Sequence, residues 1–120
     1  MLAIEAKDGE AWIALFADDA VVEDPIGPSM FDPEGKGHRG RVEIRAFYDN
    51  VIGPNDAIAF TIRESIACGN EVANIGTIST TLPGGAATVH TDGVFTYRVN
   101  DQNEVVALRA YWEMDRVRME

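Results

Sequence analysis

The chain has 120 residues, enough for one domain with one core spanning 1–120 and too few for two, and its 46% hydrophobic and 25% charged residues are ordinary for a globular protein. Twenty acidic residues against ten basic ones leave a net charge of -10, which argues against nucleic acid and anionic membrane surfaces, since both require a positive field. A single cysteine, Cys68, excludes an intrachain disulfide; with no bilayer-length apolar run and no basic, apolar leader, the expected location is cytoplasmic.

The first third reads as helical. "MLAIEAK" has the composition of the tail of a longer helix. In "DGEAWIALFADD", Trp12, Leu15 and Phe16 recur at i, i+3 and i+4 and so share a face. Asp8 is placed to cap that helix, and Asp8 with Glu10 suits its positive end. "AVVEDP" is β-branched and short, which predicts a brief strand ended by Pro25. "GPSMFDPEGKGHRG" is a glycine- and proline-rich loop without the spacing of a P-loop or an EF-hand. "RVEIRAFYDNVI" restores helical spacing, with Ile44, Phe47, Tyr48 and Val51 on one stripe and Gly53-Pro54 as the stop.

From Ala57 onward the period becomes two. A strand running to a turn at Gly69-Asn70, a second through "EVANIGTISTTL", a third through "ATVHTDGVFTYRV" and a fourth through "EVVALRAYWEM" predict long antiparallel strands. The expected class is therefore α+β, with one sheet curling over N-terminal helices. Cys68, beside a turn, is expected to be a buried or half-buried apolar residue rather than a nucleophile. His38 and His90 are far apart and offer no metal-ligand spacing. No cofactor fingerprint and no Ser-His-Asp or Cys-His pattern is present, so neither a cofactor nor a metal is expected.

Four carboxylates, Asp18, Asp19, Glu23 and Asp24, fall within seven positions of "ALFADDAVVEDPIG". Composition alone reads Asp24 as an exposed strand-end acid before a proline, with Val22 and Pro25 as the alternative of an apolar wall around it. Strand alternation turns Glu23 the other way, toward solvent. The whole segment closely resembles the "LFADDA-x-VEDP-x-G" stretch of bacterial Δ5-3-ketosteroid isomerases, in the SnoaL-like, nuclear-transport-factor-2-like superfamily. "IRAFYDN" and "VVALRAYWE" resemble two further segments in the same order, and "GVFTYRVN" resembles the actinobacterial isomerase-like proteins.

That resemblance spans nearly the whole chain. It implies a cone of curved antiparallel sheet and helices around a deep apolar pocket, a homodimer, and a small steroid-like ligand. It also implies steroid Δ-isomerase chemistry, in which a carboxylate shuttles a proton while hydrogen-bond donors hold the enolate oxygen. Asp24 matches the family's base. The donor tyrosine of the family falls one position before the residue aligned with Met1, so residues 1–120 do not include it. Gly93 aligns with the family's acid donor; Asp92 is one residue off and reaches the pocket only if a β-bulge at Gly93 turns it, taking His90 with it. Tyr48 aligns with a tyrosine that supports the missing one, and is either a pocket or a core residue. Trp112 aligns with a pocket tryptophan, and Phe95, Phe47, Trp12 and Met30 are further candidate walls, each equally compatible with ordinary core. The alternatives are a non-catalytic binder of a steroid- or polyketide-like molecule and a cyclase or epoxide hydrolase. The last would need an Asp-Arg-Asp set, for which Arg109 is available but alternates away from Trp112.

Overall fold

A computed structural model describes residues 2–120. Two short helices open the chain, α1 over Leu2–Glu5 and α2 over Gly9–Ala14. Asp8 caps α2 by accepting a hydrogen bond from the Ala11 amide at 3.0 Å. The helix expected to run through Asp19 stops at Ala14, and strand β1 takes over at Phe16–Glu23. The reason is tertiary: the Leu15 carbonyl accepts the Val105 amide at 2.8 Å, and Phe16 pairs with Val105, so sheet pairing overrides a helical spacing. The strand inferred from "AVVEDP" is thus longer than expected at its start.

The long loop carries a two-residue strand, β2 (His38–Arg39), and leads into α3 (Gly40–Phe47). Glu43 reaches back to accept the Arg39 amide at 2.8 Å, satisfying the backbone donor at the start of the helix. Residues Tyr48–Ile52 continue α3 as one wider π turn. Four strands follow: β3 (Ala57–Cys68), β4 (Glu71–Thr81), β5 (Thr88–Val99) and β6 (Val105–Tyr111), with a short closing strand β7 (Arg118–Met119). The sheet order is β2-β1-β6-β5-β4-β3, with β7 on β5. Every pairing is antiparallel except β1 with β6, which is parallel, so the chain is α+β with a curved, unclosed sheet.

The core lies where α2 and α3 meet β1 and β6. Phe16, Ala20, Val22 and Ile44 are fully buried, and Trp12 packs edge-on to Phe16 at 4.8 Å between ring centres. Tyr48 belongs to this core: it is buried, stacks near Trp12 at 5.6 Å, and burial followed by the charges of Asp8 and Asp49 pushes its hydroxyl up in pKa. Phe47 is likewise buried against His38 and Phe31. Cys68 is exposed, contrary to the sequence expectation, because β3 is an edge strand whose far end has nothing packed on it.

The bend in β3 is set by a register shift between Ile62 and Glu64, and Gly76 on β4 sits directly beneath it. A Cβ at Gly76 would run into the Thr61 carbonyl and come within 2.9 Å of the Ile62 Cα. Both obstacles are backbone, so neither can rotate away. Gly76→Ala is expected to destabilise by about 1–3 kcal/mol. Thermal unfolding followed by circular dichroism checks this; an unchanged midpoint would mean β3 slides freely over β4.

Candidate active site

The concave side of the sheet and the N-terminal helices enclose a cavity of about 380 Å³, inside the ~300–1,000 Å³ span of small-molecule sites. Its lining is dominated by apolar side chains, among them Trp12, Phe31, Ile58, Phe60, Phe95 and Leu108. Asp24 is the one carboxylate in the lining.

Asp24 stands one residue past β1, and Trp112 one residue past β6. These strands run parallel, with Glu23 beside Arg109, so their ends deliver both residues to the same place. The Ile26 amide donates to the Ala110 carbonyl at 3.0 Å and ties the loop after Asp24 to the neighbouring strand. The Trp112 indole Nε1 then donates to Asp24 Oδ1 at 2.8 Å. Asp24 keeps some accessible surface because it faces the cavity, yet protein atoms surround it on its other sides. This desolvation raises its pKa; the Trp112 hydrogen bond and then the charge of His38 act in the opposite direction without cancelling it. Oδ2 carries no hydrogen bond among the described residues and is free to take a proton.

Strand alternation sorts the remaining candidates. On β5, Val89, Thr91, Phe95 and Tyr97 line the cavity, so Asp92 lies on the opposite, outer face. The β4–β5 register is continuous, with Thr77 beside Asp92 and Gly76 beside Gly93, and no bulge intervenes. Asp92 instead accepts from the Thr77 hydroxyl at 2.6 Å and pairs with Arg118 at 2.9 Å; those two contacts lower its pKa. The expectation of a second catalytic acid at Asp92 is therefore corrected. His90 follows it outward and contacts the Ser79 hydroxyl through Nδ1 at 2.8 Å. Gly93 faces inward, but a Cβ there would meet the Tyr111 carbonyl oxygen at 2.5 Å and Trp112 Cβ at 3.1 Å. The space an acid donor would need at this position is filled by the turn into Trp112.

Of the expected walls, Trp112, Phe95, Trp12 and Met30 do line the cavity. Phe47 and Tyr48 do not: α3 presents them to the helix-side core, and Phe47 borders only a separate cleft with His38 and Glu43. Glu23 is not solvated as expected. Its side chain is only 15% exposed and pairs with Arg109 at 3.1 Å, so the Arg109 guanidinium is held outside the cavity lining and no Asp-Arg-Asp set forms around Asp24. His38 leaves Nε2 buried without a hydrogen-bond partner and lies against the Phe47 ring at 4.6 Å. Sequence reading missed Tyr97, Phe31, Ile58 and Phe60 as wall residues. Tyr97 was open to detection, since it is two residues from Phe95 and must share its face.

The sequence profile of the SnoaL-like domain family matches residues 1–113, and the chain belongs to this family. Among solved structures, it is similar to a Δ5-3-ketosteroid isomerase from Mycobacterium sp., at 41% identity and a TM-score of 0.92, covering 99% of this chain and 91% of that one. It is similar to RV0760c from Mycobacterium tuberculosis in complex with estradiol-17beta-hemisuccinate, at 38% identity and a TM-score of 0.89 over 98% of this chain and 90% of that one. A computationally designed 17-OHP binder matches at 36% identity and a TM-score of 0.91, over 99% and 90% of the two chains.

Because its pKa is raised on folding, the native protein holds the Asp24 proton more tightly than the unfolded chain does. Stability attached to this group is full below the ordinary carboxylate range and falls as pH rises through the native pKa. Asp24→Asn keeps an oxygen for the Trp112 bond and removes the buried charge. It is expected to raise the thermal midpoint at pH 7, with the gain vanishing at acidic pH. A midpoint series across pH measures this, and a loss of stability at pH 7 would contradict it.

Proposed function

We propose that this protein is a steroid Δ-isomerase, moving the double bond of a 3-oxo-Δ5-steroid into conjugation with the ketone. The observation that carries the reading is a single desolvated carboxylate in the wall of an otherwise apolar cavity, oriented by Trp112. In this reading Asp24 Oδ2 removes the proton from the carbon between ketone and alkene. The electrons flow into the ketone oxygen as a dienolate, and the same carboxyl returns the proton at the far alkene carbon. The change is a proton transfer within one molecule and consumes no cofactor. Burial suits Asp24 to the task twice, since a poorly solvated carboxylate is a stronger base and a poorly solvated carboxylic acid is a stable resting place for the proton.

The similarity to a ketosteroid isomerase and to a steroid-bound relative supports a fused-ring apolar ligand. Phe95, Trp112, Trp12 and Met30 supply its walls. The outward turn of Asp92 favours a second reading: a protein that binds such a ligand without converting it. The family likeness also supports pairing of two copies of the chain, and the exposed lone Cys68 is compatible with a reducing cytoplasm.

The deciding experiment follows the conjugated enone's ultraviolet absorbance after addition of 5-androstene-3,17-dione. Turnover should appear, rise with pH as Asp24 ionises, and drop by about 10²–10⁴ in Asp24→Asn. Tight binding of the steroid with no turnover would select the binding protein. Light scattering on a sizing column should give roughly twice the 13.1 kDa chain mass; a single-chain mass would remove the dimer.

A further inference from the structure

An enolate needs a donor at its oxygen as well as a base at its carbon. The cavity offers few. Trp112 Nε1 is committed to Asp24, and the Asn55 amide donates both to Val51 and to Ile52 carbonyls, at 2.9 and 3.0 Å. Asp92 and Tyr48 lie outside the lining. The donors left are the Trp12 indole N–H, on a ring packed into the helix-side core against Phe16 and Tyr48, and the hydroxyls of Thr80, Thr91 and Tyr97.

Their positions differ. Tyr97 pairs with Leu108 across β5 and β6, and Leu108 pairs with Val22 across β6 and β1. All three line the cavity, so they form one row over three strands. Two strand spacings, about 10 Å between Cα atoms, separate Tyr97 from Val22, and Asp24 follows Val22 by two residues on the same face. The Tyr97 side chain lines the same cavity as Asp24, whose charge acts on its hydroxyl. Thr91 sits six residues from Tyr97 along β5, about 20 Å away along an extended strand, and Thr80 lies beyond it on the adjoining strand. Among the described residues the Tyr97 hydroxyl has no hydrogen-bond partner.

Resting on the ketone-isomerase reading above, we infer that the Tyr97 hydroxyl is the donor to the ligand's ketone oxygen, working beside Asp24. A ketone whose adjacent carbon lies over Asp24 Oδ2 carries its oxygen just beyond that carbon, within the space between the two residues. Negative charge built on that oxygen as Asp24 takes the proton is met by the phenol O–H. A phenol is a stronger donor than the alcohol of a threonine, and it is unused by the fold. Burial, followed by the charge of Asp24, pushes the Tyr97 pKa up to about 12, so the hydroxyl keeps its proton at neutral pH and remains a donor. The same neighbourhood accounts for selectivity: an apolar ligand without an oxygen at this end leaves the hydroxyl buried and unpaired.

The test uses Tyr97→Phe, which keeps the ring and removes only the oxygen, with Tyr111→Phe as a control for an exposed phenol outside the cavity lining. Two readouts are needed: kcat and KM for 5-androstene-3,17-dione, and dissociation constants for 4-androstene-3,17-dione and its 3-deoxy analogue. In Tyr97→Phe, kcat should fall about 10²–10³ with KM little changed. The preference for the 3-oxo steroid over the 3-deoxy one should shrink about three- to tenfold, and the thermal midpoint should hold. Tyr111→Phe should retain both. An unchanged kcat and an unchanged 3-oxo preference in Tyr97→Phe would overturn the inference, while an inactive Asp24→Asn would leave the isomerase reading standing. A wild-type protein that binds but does not turn over, and still loses its 3-oxo preference in Tyr97→Phe, would sink the isomerase reading and uphold the contact. Binding of neither steroid by the wild type would overturn both.

Discussion

The bond from the Trp112 indole to Asp24 joins the ends of two parallel strands in the wall of an apolar hollow. It meets a conflict built into the fold. An ionised carboxylate out of water is costly unless something donates to it, and full compensation would leave it too weak a base to be useful. One neutral donor is a compromise between these demands. It orients one oxygen, leaves the other open, and keeps the proton affinity of the group above that of a solvated aspartate. The parallel pairing of β1 and β6 makes this possible, because it carries the chain ends after both strands in the same direction. An antiparallel pair would send them apart.

The sheet separates two chemistries by alternation alone. Inward positions on β5 hold Val89, Thr91, Phe95 and Tyr97, while outward positions hold His90 and Asp92 in a polar network with Ser79, Thr77 and Arg118. Gly93 marks the crossing point. It faces inward with no side chain because the Tyr111 carbonyl and Trp112 pass directly over it. The charge-bearing surface therefore stays on the convex side, which is how a chain with a net charge of -10 keeps one carboxylate in its interior hollow.

Much of this was legible from residues in order. Alternation from Ala57 onward located the four long strands, and three ordered segments located the family and the inward acid. The failures share a physical cause. "LFADD" carries helical spacing, yet pairing of Phe16 and Leu15 with Val105, ninety residues away, draws the chain into a strand; no local pattern contains that contact. Tyr48 and Phe47 share a face with Ile44, and the helix spacing alone does not say whether that face meets core or cavity. Asp92 hinged on a single residue of register, which only the pairing with β4 decides. Glu23 read as solvated because its partner, Arg109, is distant in sequence.

The cavity also has an uneven border. Met30, Met114 and Met119 contribute to its lining while standing more than half exposed, in contrast to the buried Trp12 and Phe95. Thioether chains are unbranched, polarisable and cheap to rearrange. The stretches of wall they supply therefore adjust to a guest's shape at less cost than the buried rings of Trp12 and Phe95.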